Sequence, residues 1–208
     1  MKPTWLKNLP IQLTLLRIFL VPFFMVFMFV DNLWTRIFAL LIFVLGGLTD
    51  LYDGMIARHL NVVTKAGIFL DPLADKLIIS AALISFVGLR ELHVPAWMVV
   101  CVISREFLIT GLRTLAVSGG RIIAADRTGK FKTTSQIIAI IIILLVLIVN
   151  SLFKKYPGIV PPPAIMSFIR SLPYWIMFVI TLLTLYSGVV YLWKHRDVLI
   201  SELKNNGK

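Results

Sequence analysis

Cysteine is nearly absent from this 208-residue chain: Cys101 stands alone inside an apolar run. No internal disulfide can form, and a buried core thiol is the expected role for it. Histidine is scarce as well, with three residues, so no His–Cys cluster offers a soft metal site. Acidic residues number ten against 21 Lys and Arg. Strand-like alternation is rare, which favours helices over a barrel. There is no internal repeat and no low-complexity tract.

Apolar residues are what the chain has in excess. They make up 59% of it, and the mean hydropathy is +0.91. Composition of this kind indicates an integral membrane protein. Six runs approach the ~20 apolar residues that a spanning helix needs, at roughly 11–30, 35–57, 67–89, 94–117, 131–153 and 172–193. The expectation is an all-α integral membrane protein of six transmembrane helices, with residues 1–208 forming one domain. The first run carries Arg17 and lacks a small-residue cleavage site, so it reads as a retained helix. Met1 to Pro10, with Trp5 and Leu6 among lysines, suits a short segment lying on the membrane surface.

Two connections are long. Residues 118–130 form a polar, glycine-containing loop. Residues 154–173 hold Pro157 and Pro161-Pro162-Pro163, which read as breaks in a second loop. Trp5, Trp34, Trp97, Trp175 and Trp193 fall near segment ends, as interfacial anchors do.

The net charge is +11, and its distribution sets the topology. With the N-terminus in the cytoplasm, 12 of the 21 Lys and Arg fall on the cytoplasmic side and five outside: Arg36, Arg90, Lys154, Lys155 and Arg170. Both termini are therefore expected in the cytoplasm. The charges are scattered over loops without a basic aromatic face, so anionic lipid headgroups explain them and a nucleic-acid partner is not expected.

Four of the ten acidic residues lie in or beside apolar segments: Asp50, Asp53, Asp71 and Asp75. Ionised carboxylates in a membrane are costly, so they mark a functional site by default. Positions 50, 53, 54 and 57 follow i, i+3, i+4, i+7, one stripe of one helix. Positions 67, 71 and 75 form a stripe on the next. Facing stripes would bring four carboxylates together, with Gly54, Ala57 and Gly67 leaving room for a bulky polar ligand. Such carboxylates must protonate, pair with bases or bind cations. Hard oxygen donors suit Mg²⁺ or Mn²⁺. The alternative is a hydrogen-bonded network with Arg58 and Lys76 as counterions.

The pattern Asp-x2-Asp-Gly-x2-Ala-Arg-x8-Gly-x3-Asp-x3-Asp resembles the signature of the CDP-alcohol phosphotransferases. Asp50, Asp53, Gly54, Ala57, Arg58, Gly67, Asp71 and Asp75 fill every position of it. The resemblance implies a six-helix membrane enzyme, usually a homodimer, that moves a substituted phosphoryl group from a CDP-linked donor to an alcohol and releases CMP. It implies that Asp50, Asp53, Asp71 and Asp75 hold one or two divalent cations on the donor pyrophosphate, with Asp75 as general base. Gly54, Ala57 and Gly67 would admit the nucleotide. Arg58 would contact donor phosphate, unless it is only an arginine snorkelling from a helix end.

The acceptor is read from other segments. Glu106, Thr110 and Arg113 share a stripe, with Arg105 about 100° away. Gly129, Lys132, Thr133 and Gln136 share another. If these helices flank the carboxylates, they supply a basic pocket suited to an acceptor carrying phosphate. Arg105, Arg113, Lys130 and Lys132 are the candidate phosphate ligands. Against this, Arg105 and Glu106 could belong to a buried ionic network, and Lys130 and Lys132 could be flanking charges.

The segment Asn8 to Arg17, the Arg105-Glu106 helix and Gly129-Lys-Phe-Lys-Thr133 resemble a bacterial branch of the family. Ile11 departs from its pattern, which has Asn after the proline. That likeness implies a bacterial cytoplasmic membrane, CDP-diacylglycerol as donor and sn-glycerol 3-phosphate as acceptor. Serine, inositol or an inositol phosphate are the alternative acceptors. A cation transporter is the rival outside enzymes, but the outer halves of both signature helices are almost wholly apolar.

Overall fold

The computed structural model describes residues 4–60, 65–118, 127–159, 161–194 and 196. Within these, the side chains of 4–10, 50–60, 65–69, 71–72, 115, 117–118, 127–130 and 159 lie outside the description. The described chain is helical, with six long helices: α1 (Thr4–Phe29), α2 (Leu33–Leu60), α3 (Lys65–Gly88), α4 (Ala96–Ser118), α5 (Arg127–Lys155) and α6 (Pro163–Lys194). Single 3₁₀ turns at Arg90–Leu92 and Pro157–Ile159 sit in two of the connections.

Local chemistry sets the joints. Asn32 caps α2, its Oδ1 accepting from the Trp34 amide at 3.0 Å. The α3–α4 connection turns at His93, a residue in the left-handed region (φ 51°), whose amide donates to the Arg90 carbonyl at 3.3 Å. Such a turn lets the chain reverse within seven residues, 89–95.

Three expected boundaries are corrected. The last helix starts at Pro163, nine residues before the expected 172, so the loop is 156–162 and not 154–173. Pro163 opens the helix because the first helical position needs no N–H. Pro173 sits inside it, buried, removing one ladder bond without ending the helix. Trp175 is consequently more than three turns into α6 and not near a segment end. At the other terminus, α1 runs unbroken from Thr4 through Pro10, so residues 4–10 continue the first long helix. Of the expected 118–130 loop, residues 118 and 127–130 are helical, and 119–126 lie outside the described residues.

α1 packs on α2 and α3, α6 packs on α4 and α5, and α2–α5 and α3–α4 contacts join the halves. Gly46 permits the close approach of α2 to α3: a Cβ there would stand 3.0 Å from Ile78 Cδ1. Phe24, Met28, Leu83, Phe86, Met98, Ile140 and Leu147 are among the wholly buried core. The exterior is apolar too, with Phe19, Phe131, Phe168, Tyr186, Val189 and Trp193 each more than 60% exposed. So extensive an apolar outer surface marks contact with lipid or other chains. Among the described residues, three stretches are long and apolar enough to cross a membrane: Ile11–Phe29, Phe131–Lys155 and Pro163–Lys194.

One end of the bundle is closed by an ionic cluster. Arg36, 2% exposed, pairs with Asp31 at 3.1 Å and with Glu91. It also donates to the Leu147 carbonyl at 3.1 Å and Ser151 Oγ at 2.6 Å. Lys154 bridges the same two carboxylates, at 2.8 Å to Asp31 and 3.2 Å to Glu91. Lys155 lies 5.5 Å from the centre of the Trp34 ring, a cation–π contact. This cluster fastens the α1–α2 connection, the α3–α4 connection and the end of α5 to one another.

Candidate active site

The opposite end carries the signature. α2 is unbroken from Asp50 through Arg58, and α3 from Gly67 through Asp75, so the i, i+3, i+4, i+7 stripe and its partner are true helical faces. The two helices are in contact. The side chains of Asp50, Asp53, Gly54, Ala57, Arg58, Gly67 and Asp71 lie outside the described residues; Asp75, half-buried, lies within them. Among the described residues no three His, Cys, Asp or Glu side chains gather. As a donor set, four carboxylates on adjoining helices supply only hard oxygen ligands, which fit Mg²⁺ or Mn²⁺.

Around Asp75 the neighbouring helices contribute a polar cluster. Lys76 follows on α3 and donates to Thr110 Oγ1 of α4, with the Glu106 carbonyl at 3.5 Å. Thr110 is itself tied back to that carbonyl at 2.8 Å. Glu106 is the hub: its Oε1 pairs with Lys132 of α5 and lies 3.5 Å from Arg105 Nη1. Lys132 is 3% exposed, so this pair is shielded from solvent. Breaking such a pair by removing one partner costs ~3–5 kcal/mol.

α6 holds the far side of Arg105. Ser187 Oγ accepts from Arg105 Nη2 at 2.9 Å. Gly188 lets the arginine lie against the helix, since a Cβ there would come within 3.0 Å of Arg105 Cγ. The guanidinium is thus fixed between Glu106 and Ser187. Between α3, α4 and α5 lies a cavity of about 30 Å³, bordered by Asp75, Lys76, Ser80, Glu106, Thr133 and Gln136 among others.

Of the four candidate acceptor ligands, Arg105 and Lys132 meet through Glu106. The contact of Arg105 with Glu106 is the one the ionic-network alternative named, and Lys132, 3% exposed, joins it instead of standing as a flanking charge. Arg113 stands two turns further along α4 and is exposed; the Lys130 side chain lies outside the described residues. Sequence reasoning did not reach Ser187, Gly188 or the pairing of Lys76 with Thr110. No local spacing marks them, because each meets its partner from a helix remote in sequence. Gln136 did carry a signal, its place on the Lys132–Thr133 stripe.

A family model described as CDP-alcohol phosphatidyltransferase matches residues 7–185, nearly the whole chain, and the chain belongs to that family. Among its relatives is the CDP-diacylglycerol–glycerol-3-phosphate 3-phosphatidyltransferase of Bacillus subtilis (strain 168). It is 46% identical over 150 residues, 66% of this chain and 77% of the relative. Proteins of the same description from Escherichia coli (strain K12) and Salmonella typhimurium (strain LT2) are 32% identical over 201 residues, 94% of this chain and 98% of each relative. Ser187 and Gly188 lie just beyond the family match.

Proposed function

We propose that this chain transfers the phosphatidyl group of CDP-diacylglycerol to sn-glycerol 3-phosphate, giving phosphatidylglycerophosphate and CMP. The observation that carries the acceptor is the cluster in which Glu106 gathers Arg105 and Lys132 beside Lys76 and Asp75. Among the described residues, three cations there face two carboxylates. The positive excess suits an acceptor that brings its own phosphate. Serine, carrying an ammonium group and no phosphate, would use it poorly.

Asp75 takes the proton of the attacking hydroxyl as that oxygen bonds to the β-phosphorus of the donor. The bond from that phosphorus to the bridging oxygen breaks, and CMP leaves with the electron pair. Arg105, Lys132, Arg113 and Lys130 hold the acceptor phosphate, and Glu106 positions the first two. Gly54, Ala57 and Gly67 leave the helix backbones open to the nucleotide, and Arg58 contacts donor phosphate. One or two Mg²⁺ or Mn²⁺ ions, held by Asp50, Asp53, Asp71 and Asp75, would supply charge neutralisation on the pyrophosphate and favour the departure of CMP.

The same reading makes residues 1–208 one domain of six transmembrane helices in a bacterial cytoplasmic membrane, paired as a homodimer. Both termini and the signature end face the cytoplasm. Donor tails then stay in the bilayer, while glycerol 3-phosphate and CMP exchange with the cytosol. The test is CMP release by purified protein given CDP-diacylglycerol and Mg²⁺, with glycerol 3-phosphate, inositol phosphate, inositol and serine offered separately. Turnover with glycerol 3-phosphate alone is expected. Turnover only with another acceptor would overturn the acceptor, and none with any acceptor in folded protein would overturn the enzyme.

A further inference from the structure

The small cavity behind Asp75 is polar where a buried pocket among apolar helices would ordinarily be lined with hydrocarbon. Asp75, Lys76 and Glu106 border it, while Ser80 and Gln136 lie about one turn further along α3 and α5 than Asp75 and Lys132. Ile79, Leu83 and Ile103 complete the lining. At about 30 Å³ it exceeds the ~10–15 Å³ that a single water needs, so a hydroxyl fits there.

Gln136 supplies the second observation. It is 1% exposed, and its side-chain Nε2 finds no hydrogen-bond partner among the described residues. Buried donors are nearly always satisfied, and leaving one without a partner is costly. Gln136 is one of the residues that border the cavity, which makes a group entering there a candidate partner for its side chain.

We infer that Gln136 recognises the hydroxyl of the acceptor that does not react, in the cavity beside Asp75. This rests on the reading of glycerol 3-phosphate as acceptor. Of its two hydroxyls, the primary one is the less hindered nucleophile and goes to Asp75. The secondary one is attached to the adjacent carbon, and the adjoining cavity is sized for it. Its oxygen accepts from Gln136, and Ser80 offers a further polar contact. Gln136 is then a specificity-determining residue, because a site built to bond a hydroxyl discriminates against an analogue that lacks it.

The experiment compares two acceptors in the full-length protein: glycerol 3-phosphate, and 1,3-propanediol monophosphate, which lacks only the secondary hydroxyl. The unmodified protein should prefer glycerol 3-phosphate by about tenfold or more in kcat/KM, the usual scale for an unmatched buried polar group. Gln136→Leu and Gln136→Met should lose most of that preference by falling on glycerol 3-phosphate while holding on the diol phosphate. The KM for CDP-diacylglycerol should stay unchanged in both. Two variants of different shape guard against one that fails to fold.

If the preference persists in variants that fold, or both acceptors fall together, Gln136 serves the fold or a resident water and the inference is overturned. If the unmodified protein turns over glycerol 3-phosphate without preferring it, the inference is likewise overturned and the acceptor reading stands. If the unmodified protein does not use glycerol 3-phosphate at all, the acceptor reading falls and takes the inference with it.

Discussion

The two ends of this helical bundle are both built from buried charge, and they use it differently. At the Arg36 end, two cations meet two carboxylates, and Arg36 also finds Ser151 and the Leu147 carbonyl. Each of these two cations reaches both carboxylates, and Lys155 beside them rests on the Trp34 ring, so the cluster closes on itself. At the Asp75 end, Lys76, Arg105 and Lys132 crowd around Glu106 and Asp75, and Arg113 stands exposed nearby. Among the described residues charge there is left over, and the polar residues border a cavity. The lesson is that buried ion pairs do not by themselves mark a site. The mark is an imbalance that an outside ligand of opposite charge would complete.

Substitutions at the two ends should therefore part company, activity falling at one and stability at the other. Asp71→Asn removes one hard oxygen donor from the signature stripe. Turnover should fall by about a thousandfold or more, since stabilisation of the transferred charge is worth several kcal/mol. The helical circular dichroism and the thermal unfolding of the protein should persist, and near-normal CMP release would remove Asp71 from the site.

Arg36→Met breaks the closed end. Its partners Asp31 and Glu91 retain Lys154 and partial access to water, so the loss should be moderate, about 2 kcal/mol. A lower melting temperature with both Michaelis constants unchanged is expected. A changed acceptor constant would mean that the two ends are coupled.

Arg113→Ala should raise the KM for glycerol 3-phosphate about tenfold, the worth of one charge-assisted contact. The KM for CDP-diacylglycerol should move much less.

The smallest effect concerns pH. The hydrogen bond from Lys154 holds the Asp31 carboxyl below its ordinary value of 3.8; partial burial opposes this, and the charge of Arg36 adds to it. A carboxyl depressed in the folded state stabilises the fold above its unfolded pKa, and that contribution is lost as pH falls through the folded value. Asp31 is more than half exposed, so solvent screens the pair and the contribution stays below about 1 kcal/mol. Unfolding of Asp31→Asn and the unmodified protein should differ slightly at pH 6, and the difference should shrink steadily as pH falls below 4. A difference that grows on acidification would contradict the pairing.

How much of this was legible in the sequence depends on distance along the chain. The stripe from Asp50 to Ala57 and the spacing of Gly67, Asp71 and Asp75 are local patterns, and the helices that carry them begin and end within three residues of expectation. Proline was misleading at α6. A Pro-Pro-Pro run reads as a stop, yet its last member opens the helix and Pro173 is carried within it. Arg36 read as an ordinary outer charge, because nothing local reveals partners 55 and 115 positions away. Ser187 and Gly188 were missed for the same reason, since only the packing of α6 on α4 brings them to Arg105. Arg105, Glu106 and Lys132 were singled out by type and register, and the fold brings the three together. That one carboxylate joins the two bases emerged only from the fold.

The most direct test of this division sets the Michaelis constants for glycerol 3-phosphate and CDP-diacylglycerol side by side in three proteins: unmodified, Arg113→Ala and Arg36→Met. A rise in the acceptor constant confined to Arg113→Ala, with the donor constant steady throughout, is the predicted result. Equal constants in all three, or an acceptor constant that rises with Arg36→Met, would contradict the claim that the charge left over at the Asp75 end is there for the acceptor phosphate.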